Sequence, residues 1–376
     1  MIDNRSIALD ACRGIAVITV IAYHLSSFGM LPQSSLFVAW LACGMFGVDF
    51  FYVLSGFFIT QAILRPRSWK PDVFLRARIN RIYPAFVFSL LLIVALKIYI
   101  GHAFDLTMII GILLHLTMLH NLFPGVGDSL NGVYWTLGVE FPYYILMLAL
   151  ASFLRSSNRG FWTLCLGMLV LCLVWRQSAF LFLPPGGLAR FFAATQLPGA
   201  LDAFALGGMA AMLHLNSALR ERLIQARWLL LAIGLTGVAF CLRYFMAHSG
   251  NYWEDWMSVV VWRSIFALGC AIVTLACAKM QNNQLLHYSG LPWLGKISFS
   301  LYLYHVLVLN FVNRYYGDRV WEFRLPVSVA IMLAVSWLSW RFVESRFHKT
   351  ASIRASAGIG KDAARSTALR TAGGTL

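Results

Sequence analysis

Arg13 and His24 are eleven residues apart in an apolar stretch that also carries Asp10. Eleven helical steps of about 100° fall within about 20° of three full turns, so both side chains leave one face, about 16 Å apart along the axis. Imidazole exchanges protons near neutral pH, and guanidinium holds an anion or a polarised carbonyl. A base and an anion clamp at two depths on one helix face describe a pathway. Asp10, three residues before Arg13, is placed to pair with it. A second cluster reads Arg76-Ala-Arg78-Ile-Asn-Arg81-Ile-Tyr-Pro84. Arg78 and Arg81 share a face, and guanidinium forks take phosphate oxygens two at a time. The plain alternative for this cluster is a collar of positive charge at a helix end. Three further stretches set polar groups among aromatics: Gly47–Phe57 with Asp49 and Ser55, Asn131–Tyr143 with Glu140 before Pro142, and Ser298–His305 with Tyr302. The seven cysteines are scattered without metal or disulfide spacing and read as small hydrophobes, so no metal is expected.

The elements that must carry these groups are unusual for their composition. Of 376 residues, 60% are hydrophobic and 12% charged, about half the charge of a soluble domain. That excludes a cytosolic enzyme, a disordered chain and a coiled coil. Apolar segments lie near 7–28, 36–64, 82–100, 106–123, 132–154, 161–183, 198–215, 228–246, 257–278, 294–312 and 326–343, each near the length that crosses about 30 Å of hydrocarbon. The expected fold is an all-α, polytopic transmembrane bundle. Asp10 and Arg13 inside the first segment, and the lack of a small-residue cleavage site, argue against a cleavable signal. An ionisable group inside a span costs at least about 2.5–3.5 kcal/mol, which makes each one a functional candidate. Arg176, Asp202, Arg243, Arg263 and Lys296 also lie in or near spans, with packing and function undivided.

The net charge of +15 is distributed by side. Basic connectors at 65–81, 155–160 and 216–227 and a basic tail contrast with poorly charged or acidic ones at 29–35, 101–105, 124–131 and 247–257. The positive-inside rule places the basic set, with both termini, in the cytoplasm, so the surplus fixes topology and is no sign of nucleic acid. Three apolar segments intervene between 65–81 and 155–160 where parity needs an even number. The weakest, 106–123, contains His115 and His120 and reads as re-entrant or only partly inserted. Ten spans follow, in a membrane domain over 1–347. Residues 348–376 read as a disordered, basic cytoplasmic tail.

These stretches resemble acyltransferase family 3, a family of integral membrane acyltransferases. The matching residues, in order, are Leu9-Asp10-x-x-Arg13-Gly14 with ten residues before His24; Gly47-Val48-Asp49-Phe50-Phe51 through Ser55-Gly56-Phe57; Arg78-x-x-Arg81-Ile-Tyr-Pro84; Tyr134-Trp135-Thr136-Leu-x-Val-Glu140; and Ser300-Leu-Tyr302-Leu-Tyr304-His305. The resemblance runs from about 7 to 347. It implies a ten-span enzyme of the bacterial cytoplasmic membrane that moves an acyl group, commonly acetyl, from cytoplasmic acyl-CoA to a hydroxyl on an extracytoplasmic or lipid-linked sugar. Two departures stand out. Many members carry a C-terminal esterase-like domain where this sequence has about 30 tail residues. Members often read Glu-Glu-Gln-Phe-Tyr where this chain has Glu140-Phe-Pro142-Tyr143-Tyr144.

Taken together, Arg78 and Arg81, with Arg76, would hold the CoA phosphates at the inner mouth. Arg13 would hold the thioester end or polarise its carbonyl, and His24 would be the general base, with a covalent acyl-histidine step left open. Glu140 and His305 would orient His24 or the acceptor, and Asp10 reads as Arg13's structural partner. No permanently bound cofactor is expected; the partners are acyl-CoA, a sugar-containing acceptor and membrane lipid. The rival from another class is a transporter or lipid-glycan flippase using the same charges as a permeation path. No internal repeat supports it.

Overall fold

The computed structural model describes residues 6–32, 35–66, 69–280 and 284–347, and within them the chain is helical without a strand. Three of the long helices start where the sequence supplies a capping side chain or a proline. The Ser6 hydroxyl accepts from the Leu9 amide at the head of α1 (Ile7–Ser27). Pro71 opens α4 (Pro71–Tyr99), and Ser157 caps α7 (Asn158–Phe182) through the Gly160 amide. Between them lie α2 (Ser35–Ala42), α3 (Gly47–Leu64), α5 (Leu106–Leu116) and α6 (Leu137–Ser156). The second half continues through α8 (Gly187–Ala194), α9 (Leu201–Leu215), α10 (Arg220–Gln225), α11 (Arg227–Ala247), α12 (Arg263–Ala278), α13 (Gln284–Tyr288), α14 (Leu291–Tyr316) and α15 (Trp321–Ser339).

Among the described residues nine helical stretches are long and apolar enough to cross a membrane: 7–27, 37–64, 71–99, 134–156, 158–182, 227–247, 257–278, 291–316 and 321–347. The chain is a polytopic helical bundle. The tenth expected span, 198–215, falls short because a 3-10 turn (Leu197–Ala200) precedes a 15-residue helix. Its side chains are buried from Leu201 through Ala211, apart from Met209, so protein walls it. Residues 106–123, expected to be re-entrant or only partly inserted, form an 11-residue helix, too short to cross a membrane, followed by a turn. Asp105 caps α5, which runs to Leu116, whose carbonyl accepts from the Tyr83 hydroxyl (3.0 Å), halfway down α4. The chain then returns through His120, whose Nε2 donates to the Tyr134 carbonyl (2.9 Å), and enters α6. His115 and His120 lie stacked and buried, rings 4.2 Å apart, and fasten this turn. The expected tail, 348–376, lies outside the described residues.

Glycine contacts bring the central helices together. An added Cβ at Gly14 would lie 2.3 Å from the Leu291 carbonyl oxygen, and one at Gly295 only 1.8 Å from that of Asp10, so α1 and α14 touch backbone to backbone. Gly56 and Gly207 do the same for α3 and α9. Helices embedded in lipid gain little from the hydrophobic effect on pairing, and close approach through small residues supplies the dispersion contact instead.

Two buried ion pairs complete the frame. Arg176 holds Asp202 through both terminal nitrogens (2.8 and 2.9 Å), and Ser264 adds a bond to the same carboxylate. Arg263 holds Asp49 at 2.8 Å. Four of the residues left undivided between packing and function, or singled out as site candidates, therefore neutralise one another across α3, α7, α9 and α12.

Candidate active site

The interior of the bundle holds a narrow cavity of about 70 Å³ where α1, α3, α4, α6 and α14 converge. Arg13 enters it from α1, Ser55 from α3, Arg81 from α4, Glu140 and Tyr144 from α6, and Tyr302 from α14. Pairing to Asp10 (3.6 Å) and a place over the Phe58 ring (4.3 Å) compensate the buried Arg13 guanidinium. Glu140 is held by two donors on one oxygen, the Ser55 hydroxyl (2.5 Å) and the Tyr144 hydroxyl. Pro142 cannot donate to the carbonyl four residues earlier, so the first turn of α6, where Glu140 sits, lacks one of its usual rungs. The Tyr302 hydroxyl takes a bond from Thr136 (3.0 Å) and gives one to the Val133 carbonyl (3.2 Å).

The arginines of the 76–81 cluster part ways. Arg81 lines the cavity. Arg78 lies near the faces of Phe74 (5.6 Å) and Tyr144 (5.9 Å), and its Nε has no hydrogen-bond partner. Arg76 points outward, 75% exposed, with Asp72 3.8 Å away. Asp49 is also outside the cavity, committed to Arg263.

His24 and His305 form a second centre further along α1. Their rings meet edge to face with centroids 4.9 Å apart, and His305 Nε2 lies 3.3 Å from His24 Nδ1. The tautomers follow from the neighbours. His305 Nδ1 faces the carbonyls of Tyr302 (2.8 Å) and Leu301 (3.2 Å), which only accept, so Nδ1 carries the proton and Nε2 is a lone pair. His24 Nδ1 faces that lone pair and the Val20 carbonyl (3.0 Å), so it too carries a proton. The Nε2 of His24 is left as the basic nitrogen, on a ring that is only partly buried. His305, with the Val20 carbonyl, thus holds the tautomer of His24, a part that a carboxylate plays for the histidine of a hydrolase triad. Glu140 is anchored to Ser55 and Tyr144 and makes no hydrogen bond to His24. Tyr302 links the two centres, lining the cavity with its ring 5.6 Å from that of His305.

The sequence found both histidines without showing that they meet. It gave no role to Tyr144, or to Thr136, which it placed in the motif ending at Glu140. No group of three or more His, Cys, Asp or Glu side chains suited to a metal occurs among the described residues.

A family model described as an acyltransferase domain matches residues 6–341. A protein provisionally named as an O-acetyltransferase, from Staphylococcus aureus strain COL, is 24% identical over 377 residues, covering 91% of this chain and 57% of its own. O-acetyltransferase OatA of Staphylococcus aureus strain NCTC 8325 is 24% identical over 366 residues, with the same shares covered. The chain thus spans a little over half the length of these curated relatives. No solved structure matches.

Proposed function

The chain belongs to acyltransferase family 3, and from that premise we propose that it is an O-acetyltransferase of the bacterial cytoplasmic membrane. On this reading it carries an acetyl group from cytoplasmic acetyl-CoA to a hydroxyl of an extracytoplasmic or lipid-linked sugar, with both termini in the cytoplasm. One observation carries it: a histidine whose free nitrogen is a base by tautomer lies beyond an arginine-lined cavity on the same helix.

The donor enters from the basic end of the bundle. Arg78 and Arg81 hold its phosphates, and Arg13 holds the arm further in. Arg13 lies about 16 Å from His24 along α1, farther than one side chain spans, so it steadies the donor and does not polarise a carbonyl attacked beside His24. That geometry narrows the two roles the sequence left open. With the thioester delivered to the histidine pair, His24 Nε2 takes the acceptor hydroxyl proton as the oxygen bonds to the carbonyl carbon. The carbon–sulfur bond then breaks, CoA leaves as thiolate, and the imidazolium proton neutralises it. His305 accepts from His24 Nδ1–H throughout and steadies the imidazolium.

The test is CoA release and acetyl incorporation by the purified chain with labelled acetyl-CoA and an envelope glycan extract. Transfer is expected in the wild type, and His24→Ala should lose 10²- to 10⁴-fold in kcat, the usual share of a general base, with undiminished expression and membrane insertion. Near-normal transfer by His24→Ala would remove the assignment.

A further inference from the structure

A second cavity, about 250 Å³, opens at the end of the bundle to which α1 carries His24. Its walls come from Tyr23 at that end of α1, from Gly186 and Gly187 at the start of α8, and from the connector 249–254. We infer that this cleft is the acceptor subsite and that it takes a neutral pyranose ring, stacked on Trp253; the placement rests on the function proposed above.

A pyranose has an apolar C–H face and a rim of hydroxyls, so it asks for an open aromatic face ringed by acceptors and donors. Trp253 is only half-buried, and both its aromatic neighbours, Phe191 and Tyr252, meet it nearly at right angles (87° and 88°), so neither lies flat on its ring. Gly187 keeps that ring accessible: an added Cβ would already lie 3.5 Å from Trp253 Cδ1, and a longer side chain would cover it. Among the described residues, the Tyr23 hydroxyl, the Asn251 carboxamide and the Glu254 carboxylate make no hydrogen bond inside the protein. The neighbouring carboxylate, Asp255, is already engaged by the Ser258 amide (2.8 Å) and the Tyr244 hydroxyl (2.9 Å). Glu254 therefore remains to accept from sugar hydroxyls, and its charge repels a uronate.

The two rims are held in register by one buried side chain. Arg190 donates to the Trp253 carbonyl (2.8 Å) and to the Leu183 carbonyl (3.3 Å) while its guanidinium lies on the Phe180 ring (4.2 Å). Tyr23 connects the cleft to the chemistry, since its ring meets the His24 ring at 4.9 Å, edge to face. A hydroxyl on the rim nearest Tyr23 is the one presented to His24.

The experiment uses the full chain in nanodiscs and saturation-transfer NMR with methyl β-D-glucopyranoside and methyl β-D-glucuronide as probes. The neutral glycoside should give a saturable signal at least threefold stronger than the glucuronide. Trp253→Ala, and independently Gly187→Leu, should cut it at least fivefold, and Glu254→Gln should bring the glucuronide level with the neutral probe. No saturable signal from either probe, equal binding of both by the wild type, or unchanged binding by both platform variants would overturn the subsite. Acetyl transfer is read in the same samples. Probe binding without transfer would leave the sugar site standing and remove the proposed reaction, whereas transfer with an unaltered acceptor KM in Trp253→Ala would do the reverse.

Discussion

In the proposed mechanism His24 is the base and His305 its hydrogen-bonding partner. A lone imidazole has two tautomers, and only the one bearing its proton on Nδ1 leaves Nε2 ready to accept; the Val20 carbonyl and the His305 lone pair both favour this choice for His24. If His305 acts only through His24, as proposed, His305→Ala should lower kcat about tenfold while leaving both KM values in place. Steady-state kinetics of the purified variant decide this, and a change confined to KM would return His305 to a packing role. The arginines separate in the same way. Charge-assisted bonds contribute about 1.5–3 kcal/mol each, so Arg81→Ala should weaken CoA binding by about 10- to 100-fold. Arg76→Ala should leave it unchanged, its side chain being in solvent. Calorimetric titration with CoA distinguishes them, and equal losses would make the whole cluster a collar of charge. Arg13 and His24 were legible in sequence because an intramembrane charge is costly wherever it stands. The His24–His305 pairing was not, because 281 residues separate the partners and helix periodicity speaks only of neighbours.

At the scale of elements, the pair exists because α1 and α14 lie backbone against backbone at Gly14 and Gly295. With its Cβ only 1.8 Å from the Asp10 carbonyl oxygen, Gly295→Ala must push the helices apart, and a shift of even 1 Å in a reacting geometry costs on the order of 10²-fold in rate. Gly295→Ala should therefore lose transfer and melt earlier than wild type although residue 295 lies three turns from His305. Full activity and an unchanged melting curve together would count against helix contact as the positioning device. Parity and its two histidines mark 106–123 as the weakest of the apolar segments, and its helix is too short to cross a membrane. The shortness of α9 was not foreseen, since hydropathy reads 198–215 as a span whether lipid or protein surrounds it. The five helices that wall the inner cavity were each recognisable as apolar stretches; their convergence was not.

For the molecule as a whole, the buried pair Arg176–Asp202 ties α7 to α9, and Arg263–Asp49 ties α12 to α3. Arg176→Met strands the Asp202 carboxylate in an apolar interior, a loss of roughly 3–5 kcal/mol. It should lower the thermal midpoint in detergent sharply, and Arg176→Met with Asp202→Leu should recover most of it. A double variant as unstable as the single one would show that the pair does more than compensate charge. These four residues looked like functional candidates in sequence, since insertion cost alone cannot tell a charge that meets a ligand from one that meets another charge. What the sequence determined by itself was the polytopic helical class, the charge asymmetry of its connectors, and the shared face of Arg13 and His24. Those follow from composition, from charge asymmetry and from the 3.6-residue turn, all local properties. The tertiary structure alone decided which polar groups neutralise one another, which histidine nitrogen is free, and which residues wall the two cavities. Each of those is a contact between helices distant in the chain, and it takes the packed bundle to bring them together.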